Sequence, residues 1–368
     1  TNPGIYIHTN DDGYATRGRQ VWSQQAKLLP DDGAGGLNTG DEFGKWIQSA
    51  GHTILVSSPY FDHNAAMPNA GAVYVFNGTL RHWTQLQKLV AKDAMPNDHF
   101  GELMSMHKNR VVISATGSMG AHFSPTKNQP TVGAAYVYER APGGVHWSRT
   151  SKLFAKDMAP DNLFGENVGC FDDWIVSSAR NDFEPGLNSG SAYMFKQTAG
   201  KWSQQQKLMA ADLVYWQPLR DFRKYEVILG VKVFANDIAL EGDTLAAGYR
   251  RTDNNENTVN GVYLFKGYET NRWSLQQRLF TNPTDEGANG FLMNSTKVKM
   301  VNKNNLVASV YGPSNIGHTY IFKTFGHGWS LQQALKASNV FHDVEATNPD
   351  FLGFDYSSDR VYGRSCPE

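Results

Sequence analysis

Between Lys207 and Phe234 the chain carries an aromatic and cationic stretch. Tyr215, Trp216, Phe222 and Tyr225 interleave there with Arg220, Arg223 and Lys224. Aromatic rings with Arg are typical of binding surfaces, because both offer broad, rigid contact area, and such rings also stack on sugars or bases. Other groups able to do chemistry lie in four polar stretches. Tyr60, Asp62 and His63 stand in YFDHNAAMPNA, and His122 in TGSMGAHFSPTKNQPTV. Arg180, Asp182 and Glu184 stand in RNDFEPGLNS, and Arg250 and Arg251 in YRRTDNNENTVN. His63 or His122 with a nearby carboxylate could serve as general base and partner. The sequence holds no HExxH, no GxSxG, no GxxxxGK[ST] and no GxGxxG after a strand, so no specific catalytic or phosphate-binding motif supports that use. These side chains are therefore read as ligand-binding, with no catalytic residue assigned.

The elements that must position them repeat. A Trp, a polar stretch and a Leu recur six times: WSQQAKL from Trp22, WTQLQKL from Trp83, WSRTSKL from Trp147, WSQQQKL from Trp202, WSLQQRL from Trp273 and WSLQQAL from Trp329. The spacings are 61, 64, 55, 71 and 56 residues, a period that marks a repeat architecture. Before each Trp comes a short alternating strand opened by Gly, as in GAVYVF from Gly71, GAAYVY from Gly133 and GSAYMF from Gly190. After it comes Phe-Gly at Phe43-Gly44, Phe100-Gly101 and Phe164-Gly165, with Phe234-Ala235 in the fourth unit and a degenerate copy near Thr296. An apolar strand such as TILVSSP from Thr53 or RVVISAT from Arg110 completes the unit. A four-stranded antiparallel sheet cannot bury both faces alone, and radial stacking of such sheets solves this. The sequence therefore predicts an all-β, six-bladed β-propeller. It is expected as one domain over residues 1–368, with blades one to five at about 43–90, 100–154, 164–210, 234–280 and 296–337. Blade six is expected from 1–29 plus 351–365, so that both termini close the ring. A seventh blade fits only if the sequence is part of a longer chain.

The pattern WxQQxKL, AxD, DxFG, an apolar strand and GxAYVF resembles the FG-GAP repeat of integrin α-subunit propellers, nearest to its bacterial and protist branch. The resemblance implies that the fourth-to-first and second-to-third strand loops share one face, the ligand face in integrins. All the candidate residues above fall on such loops. The longest is residues 209–233, against 154–163 in the preceding unit. It either binds a partner or folds back to plug the central channel. Integrin-type repeats often carry a DxDxDG calcium loop; the matching turns here, such as SAGHT from Ser49 and EGDT from Glu241, lack alternating oxygen ligands. No metal and no cofactor are expected. Asp41, Asp93, Asp98 and Asp157, just before the Phe-Gly element, are read as turn formers that bond backbone.

Lys and Arg number 34 against 35 Asp and Glu, and no run of 18 apolar residues occurs. Nucleic-acid binding by bulk charge and membrane insertion are thus unexpected. The opening TNPGIYIHTNDDG does not read as a signal peptide, so a processed or excised chain is expected. Cys170 and Cys366 are too few for a disulfide framework and fall in opposite blades, so no bridge is expected. Asn77 and Asn294 head Asn-x-Ser/Thr sequons and are candidate glycosylation sites, Asn77 in a strand-joining loop. The functional expectation is a non-catalytic binding or adhesion propeller at the cell surface or outside the cell, recognising a protein or glycan. The alternatives are a polysaccharide-acting, lyase-like enzyme and a structural module of a larger surface assembly.

Overall fold

The computed structural model describes residues 5–10, 22–32, 40–79, 82–118, 132–157, 159, 161–182, 190–210, 231–252, 258–267, 271–281, 296–311, 317–326 and 328–336. The described residues form strands and turns and no helix. A two-stranded sheet pairs β1 (Ile5–Asn10) with β2 (Trp22–Leu28). Five four-stranded antiparallel meanders follow. The first is β3 (Ile47–Ala50), β4 (Thr53–Ser58), β5 (Ala72–Thr79) and β6 (His82–Leu89). The second is β7 (Met104–His107), β8 (Arg110–Ala115), β9 (Ala134–Glu139) and β10 (Ser148–Leu153). The third is β11 (Phe164–Phe171), β12 (Trp174–Ala179), β13 (Ser191–Thr198) and β14 (Lys201–Leu208). The fourth is β15 (Val231–Glu241), β16 (Thr244–Thr252), β17 (Thr258–Gly267) and β18 (Trp273–Thr281). The fifth is β19 (Lys297–Asn302), β20 (Asn305–Tyr311), β21 (Gly317–Phe325) and β22 (Gly328–Lys336). Six antiparallel sheets in sequence, one two-stranded and five four-stranded meanders among the described residues, make this the six-bladed β-propeller class that the repeat predicts. The strand expected at 351–365 lies outside the described residues.

Burial follows strand position. In β5, β9 and β13 five consecutive residues are buried, because inner strands are covered on both faces. The outer strands β6 and β14 alternate exposed and half-buried residues. The chain packs as two compact units, Thr1–Ser177 with Gln197–Trp202, and Ser178–Lys196 with Ser203–Glu368. In the first unit, Leu55, Val73 and Val75 meet Phe100, Met104, Val111, Ile113 and Tyr136 in one core. In the second, Val262 and Leu264 meet Val298, Leu306, Ala308 and Tyr320 in another.

The Phe-Gly element is explained by geometry. Gly44, Gly101 and Gly165 have φ of +96°, +100° and +91°. The regular strand begins only at Ile47 and Met104 in the first two cases, so Phe-Gly there is a turn ahead of the strand rather than its opening. The Phe ring drops onto its own sheet: Phe100 lies edge-on to Tyr136 at 5.3 Å, and Phe234 to Tyr263 at 5.5 Å. Its backbone meets the neighbouring sheet. The Phe100 amide donates to Ala70 O at 3.1 Å and the Phe164 amide to Val132 O at 3.0 Å. A Cβ on Gly71, Gly133 or Gly190 would lie 2.2, 1.8 or 2.3 Å from the carbonyl oxygen of Phe100, Phe164 or Phe234. In the fifth sheet Thr296, fully buried, replaces the Phe, and its carbonyl faces Gly248 of β16.

A second tie joins neighbouring outer strands. The Gln87 amide donates to Trp147 O and accepts from Trp147 N–H, both at 2.8 Å. Gln206 does the same to Trp273, at 2.9 and 2.8 Å, and Gln277 to Trp329, both at 2.8 Å.

Gly133→Ala should destabilise by about 3 kcal/mol or more, since left-handed strain adds to a backbone clash. Gly143 has φ of +73° and open space around it, so Gly143→Ala should cost only about 1–2 kcal/mol. Urea unfolding of the two variants checks the ranking, and equal losses would contradict the close-approach account.

Candidate functional site

The β4–β5 connection folds tightly on itself. Asp62 Oδ1 accepts the Asn69 amide at 2.7 Å, and His63 Nε2 donates to Gly71 O at 2.8 Å. Gly71 N–H in turn reaches Phe61 O at 3.0 Å. Asp62 and His63 therefore hold the loop and the glycine that admits the next sheet. Tyr60 lies beside His99, ring centroids 4.9 Å apart, with Lys45 Nζ 5.3 Å above its ring. Burial pushes the His99 imidazole below its usual pKa, helped by the Lys45 charge. Burial alone would lower Lys45, but Glu42 at 2.8 Å and Glu102 at 3.6 Å outweigh it, and the Lys45 pKa is raised.

The structure also assembles a group that the motifs contained but did not reveal. The Tyr of the inner strand, the Lys of the outer strand and an Asp from a loop converge three times. Tyr74 donates to Asp32, while Lys88 reaches Asp32 at 3.3 Å and lies 3.3 Å above the Phe61 ring. Burial lowers the Lys88 pKa against the pull of Asp32. Tyr136 donates to Asp93 at 3.4 Å; Lys152 at 2.8 Å and Arg149 also bind that carboxylate, and Lys152 lies 4.7 Å above Tyr136. Burial would raise Asp93, but Lys152 and Arg149 hold it below the usual carboxylate range. In the third sheet Tyr193 donates to Asp182 at 3.0 Å, Ser191 at 2.5 Å and Lys207 at 2.6 Å. Asp182 is 4% exposed, and these partners overcome burial to keep its pKa low. The Tyr74 and Tyr136 phenols are pushed up by burial first and the adjacent carboxylates second. In each group the cation pairs with the carboxylate and the neutral phenol donates to it, which makes a fixed, mutually bonded polar cluster.

Arg180 is exposed just past β12. Arg250 and Arg251 lie on β16, opposite Val233 and Val231. His122, Glu184, Tyr215, Trp216, Arg220, Phe222, Arg223, Tyr225, Asn294 and Cys366 lie outside the described residues. Asn77 stands inside β5, paired with Thr53 and Thr84, and not in the loop expected for it; its amide donates to Thr53 Oγ1 at 3.4 Å. Cys170 is buried, its thiol 3.2 Å from Ser105 O, and burial pushes its pKa up to about 11. Among the described residues no group of three or more His, Cys, Asp or Glu is placed to hold a metal ion.

Asp98 acts as the turn former that its place before Phe-Gly suggests. Its Oδ2 accepts the Met95 amide at 2.9 Å. The side chain is fully buried, Oδ1 has no hydrogen-bond partner, and burial pushes the pKa up to about 6. A raised carboxyl binds its proton more tightly when folded, so it contributes most below its unfolded pKa and loses that contribution as pH rises through about 6. Asn162 fills the matching place before Phe164. Relative to Asp98→Asn, the wild type should lose roughly 2 kcal/mol of stability between about pH 4 and pH 7. Urea midpoints of both proteins across that range check this, and a constant gap would refute it.

The FG-GAP repeat model matches residues 22–76, 83–138 and 147–195, so these three stretches are FG-GAP repeats, as their motifs suggested. No curated protein sequence matches the chain. Solved structures resemble it at low identity. Sqt1 of Saccharomyces cerevisiae is 10% identical over 90% of this chain and 68% of its own, with a TM-score of 0.47. A putative 6-phosphogluconolactonase of Bacteroides uniformis is 11% identical over 86% and 88%, with a TM-score of 0.40. The Aleuria aurantia lectin in complex with Fucα1-6GlcNAc is 10% identical over 77% and 74%, with a TM-score of 0.38.

Proposed function

We propose that this chain, built on FG-GAP repeats, is a non-catalytic binding and adhesion propeller acting outside the cell. It engages a protein or glycan partner through the loop face that carries residues 209–233. The observation that supports this is how the polar groups beside the loops are employed. Asp62 and His63 are spent on backbone. Asp93 and Asp182 are neutralised by Lys152, Arg149 and Lys207. General acid–base work needs a group near its working pKa and within reach of substrate; these carboxylates are pulled the other way. The framework repeats while the loop sequences differ from blade to blade, which favours one composite site over many equal ones.

The decisive variant is Tyr215→Ala with Trp216→Ala. Central aromatic anchors are worth about 2 kcal/mol or more each, so the pair should lower partner affinity by more than about 100-fold. A pull-down from native lysate and a glycan array, each with and without EDTA, read the loss, and circular dichroism confirms an unchanged fold. Undiminished binding by the double variant would overturn the assignment of the face.

One observation favours a second reading, an enzyme acting on acidic polysaccharide. Tyr60 beside a cation and an imidazole of lowered pKa is an arrangement suited to proton abstraction. On the binding reading, wild type and Tyr60→Phe both fail to generate unsaturated uronate from acidic polysaccharides. Turnover by wild type that Tyr60→Phe abolishes would replace the first reading with the second.

A further inference from the structure

One turn between β6 and β7 fastens parts of two loops. Asn97 N–H donates to Pro68 O at 2.8 Å and His99 N–H to Asn69 O at 3.1 Å. Asn69 Nδ2 also donates to Asn97 Oδ1 at 2.9 Å. These bonds hold the end of the β4–β5 connection. On the other side Gly117 N–H, just past β8, donates to Asp98 O at 3.2 Å. A Cβ on Gly117 would lie 1.7 Å from Asn97 O, so the stem of the β8–β9 loop presses directly on the turn. Asn97 and His99 have φ of +63° and +53°, a left-handed shape that persists only where its surroundings hold it. The interior anchor is Asp98. Its Oδ2 accepts Met95 N–H at 2.9 Å, and its own N–H returns to Met95 O at 3.2 Å. The side chain is fully buried, and Oδ1 has no hydrogen-bond partner.

We propose that this turn is a proton-operated clasp, which holds both loops while Asp98 is protonated and releases them as the carboxyl ionises. A neutral carboxyl with one unbonded buried oxygen is a modest cost, whereas a charge at that oxygen is a large one. The groups facing Asp98 do not remove that cost. Asp93, on the same segment, repels it and is itself bound by Lys152 and Arg149. Lys152 of β10 attracts it, but its short contact is to Asp93. The Tyr136 phenol of β9 is held neutral by burial. Burial therefore outweighs Lys152 and the Met95 hydrogen bond, and the Asp98 pKa stands at about 6. Opening the turn lets water reach the carboxylate and frees Pro68, Asn69 and Gly117 together. The neighbouring His99 acts in the opposite sense, since burial lowers its pKa and it gains its charge as pH falls. The matching place in the third sheet is Asn162, which is neutral at every pH.

The clasp does not rest on the binding reading and needs no ligand to be seen. The test is amide hydrogen exchange on the whole chain, wild type and Asp98→Asn, between about pH 5 and pH 7 and with rates corrected for intrinsic exchange. Protection of the Met95, Asn97, His99 and Gly117 amides in wild type should fall about tenfold across that range. Asp98→Asn keeps an acceptor for Met95 and cannot ionise, so its protection should stay constant. Repeating the measurement in low urea separates local opening from global unfolding. A local opening exposes little surface, so exchange of these four amides should be nearly independent of urea. The same tenfold loss in Asp98→Asn overturns the proposal, as does constant protection in wild type. Exchange of the turn only together with the strand amides, with their urea dependence, overturns it too, because the pH effect is then global. Loss of protection on acidification would replace Asp98 with His99 as the titrating group.

Discussion

The structure depends on one close approach of backbone to backbone. The glycine ahead of β5, β9 and β13 lets the Phe of the next sheet come close, and the Phe amide bonds the residue before that glycine, Ala70 for Phe100, or Val132 for Phe164. A side chain at Gly71, Gly133 or Gly190 would occupy the Phe carbonyl's place. From that contact the rest is fixed. The Phe ring is carried over the Tyr of its own sheet, and neighbouring outer strands are held at the offset where a Gln amide spans to the next Trp. The loop ahead of each glycine is fastened by the same residue, since the Gly71, Gly133 and Gly190 amides bond to Phe61, Ser118 and Asp182 carbonyls. The β4–β5, β8–β9 and β12–β13 loops thus end on anchored stems whatever their other sequence.

Charge is organised in the same spirit. The outer-strand Lys is long enough to lie over the inner-strand Tyr and still reach a carboxylate. A half-buried ammonium without that carboxylate would be costly. The Asp comes from whichever loop is near: from the segment after the outer strand at Asp32 and Asp93, and from the loop after β12 at Asp182. The cation and the ring are periodic while the anion is not. These groups therefore stabilise the sheet edge in each of the three sheets.

How much of this was legible follows from what each feature depends on. Strand order and the place of Phe-Gly were readable, because period-two alternation and a left-handed turn each impose residue types locally. Gln87, Gln206 and Gln277 were visible as repeated letters, yet their partners lie one repeat away, and no local rule assigns a bidentate amide to a backbone so distant. Asp182 was singled out as a binding group and is instead nearly buried beneath Lys207 and Tyr193; loop membership indicated exposure, and the tertiary pairing decided otherwise. Asn77 is expected in a strand-joining loop, but the β5–β6 hairpin runs on past it to Thr79 and His82.

The departures from the repeat carry information that its regularity does not. At Thr296 the Phe is lost, yet the close approach survives by moving to Gly248, with Asn236 Nδ2 donating to the Thr296 carbonyl at 3.2 Å. At Ser151 the Gln is lost, and Arg110 compensates over Trp202 while also pairing with Glu139 at 2.7 Å. In each case the neighbourhood has acquired a substitute, which is what stability alone would demand.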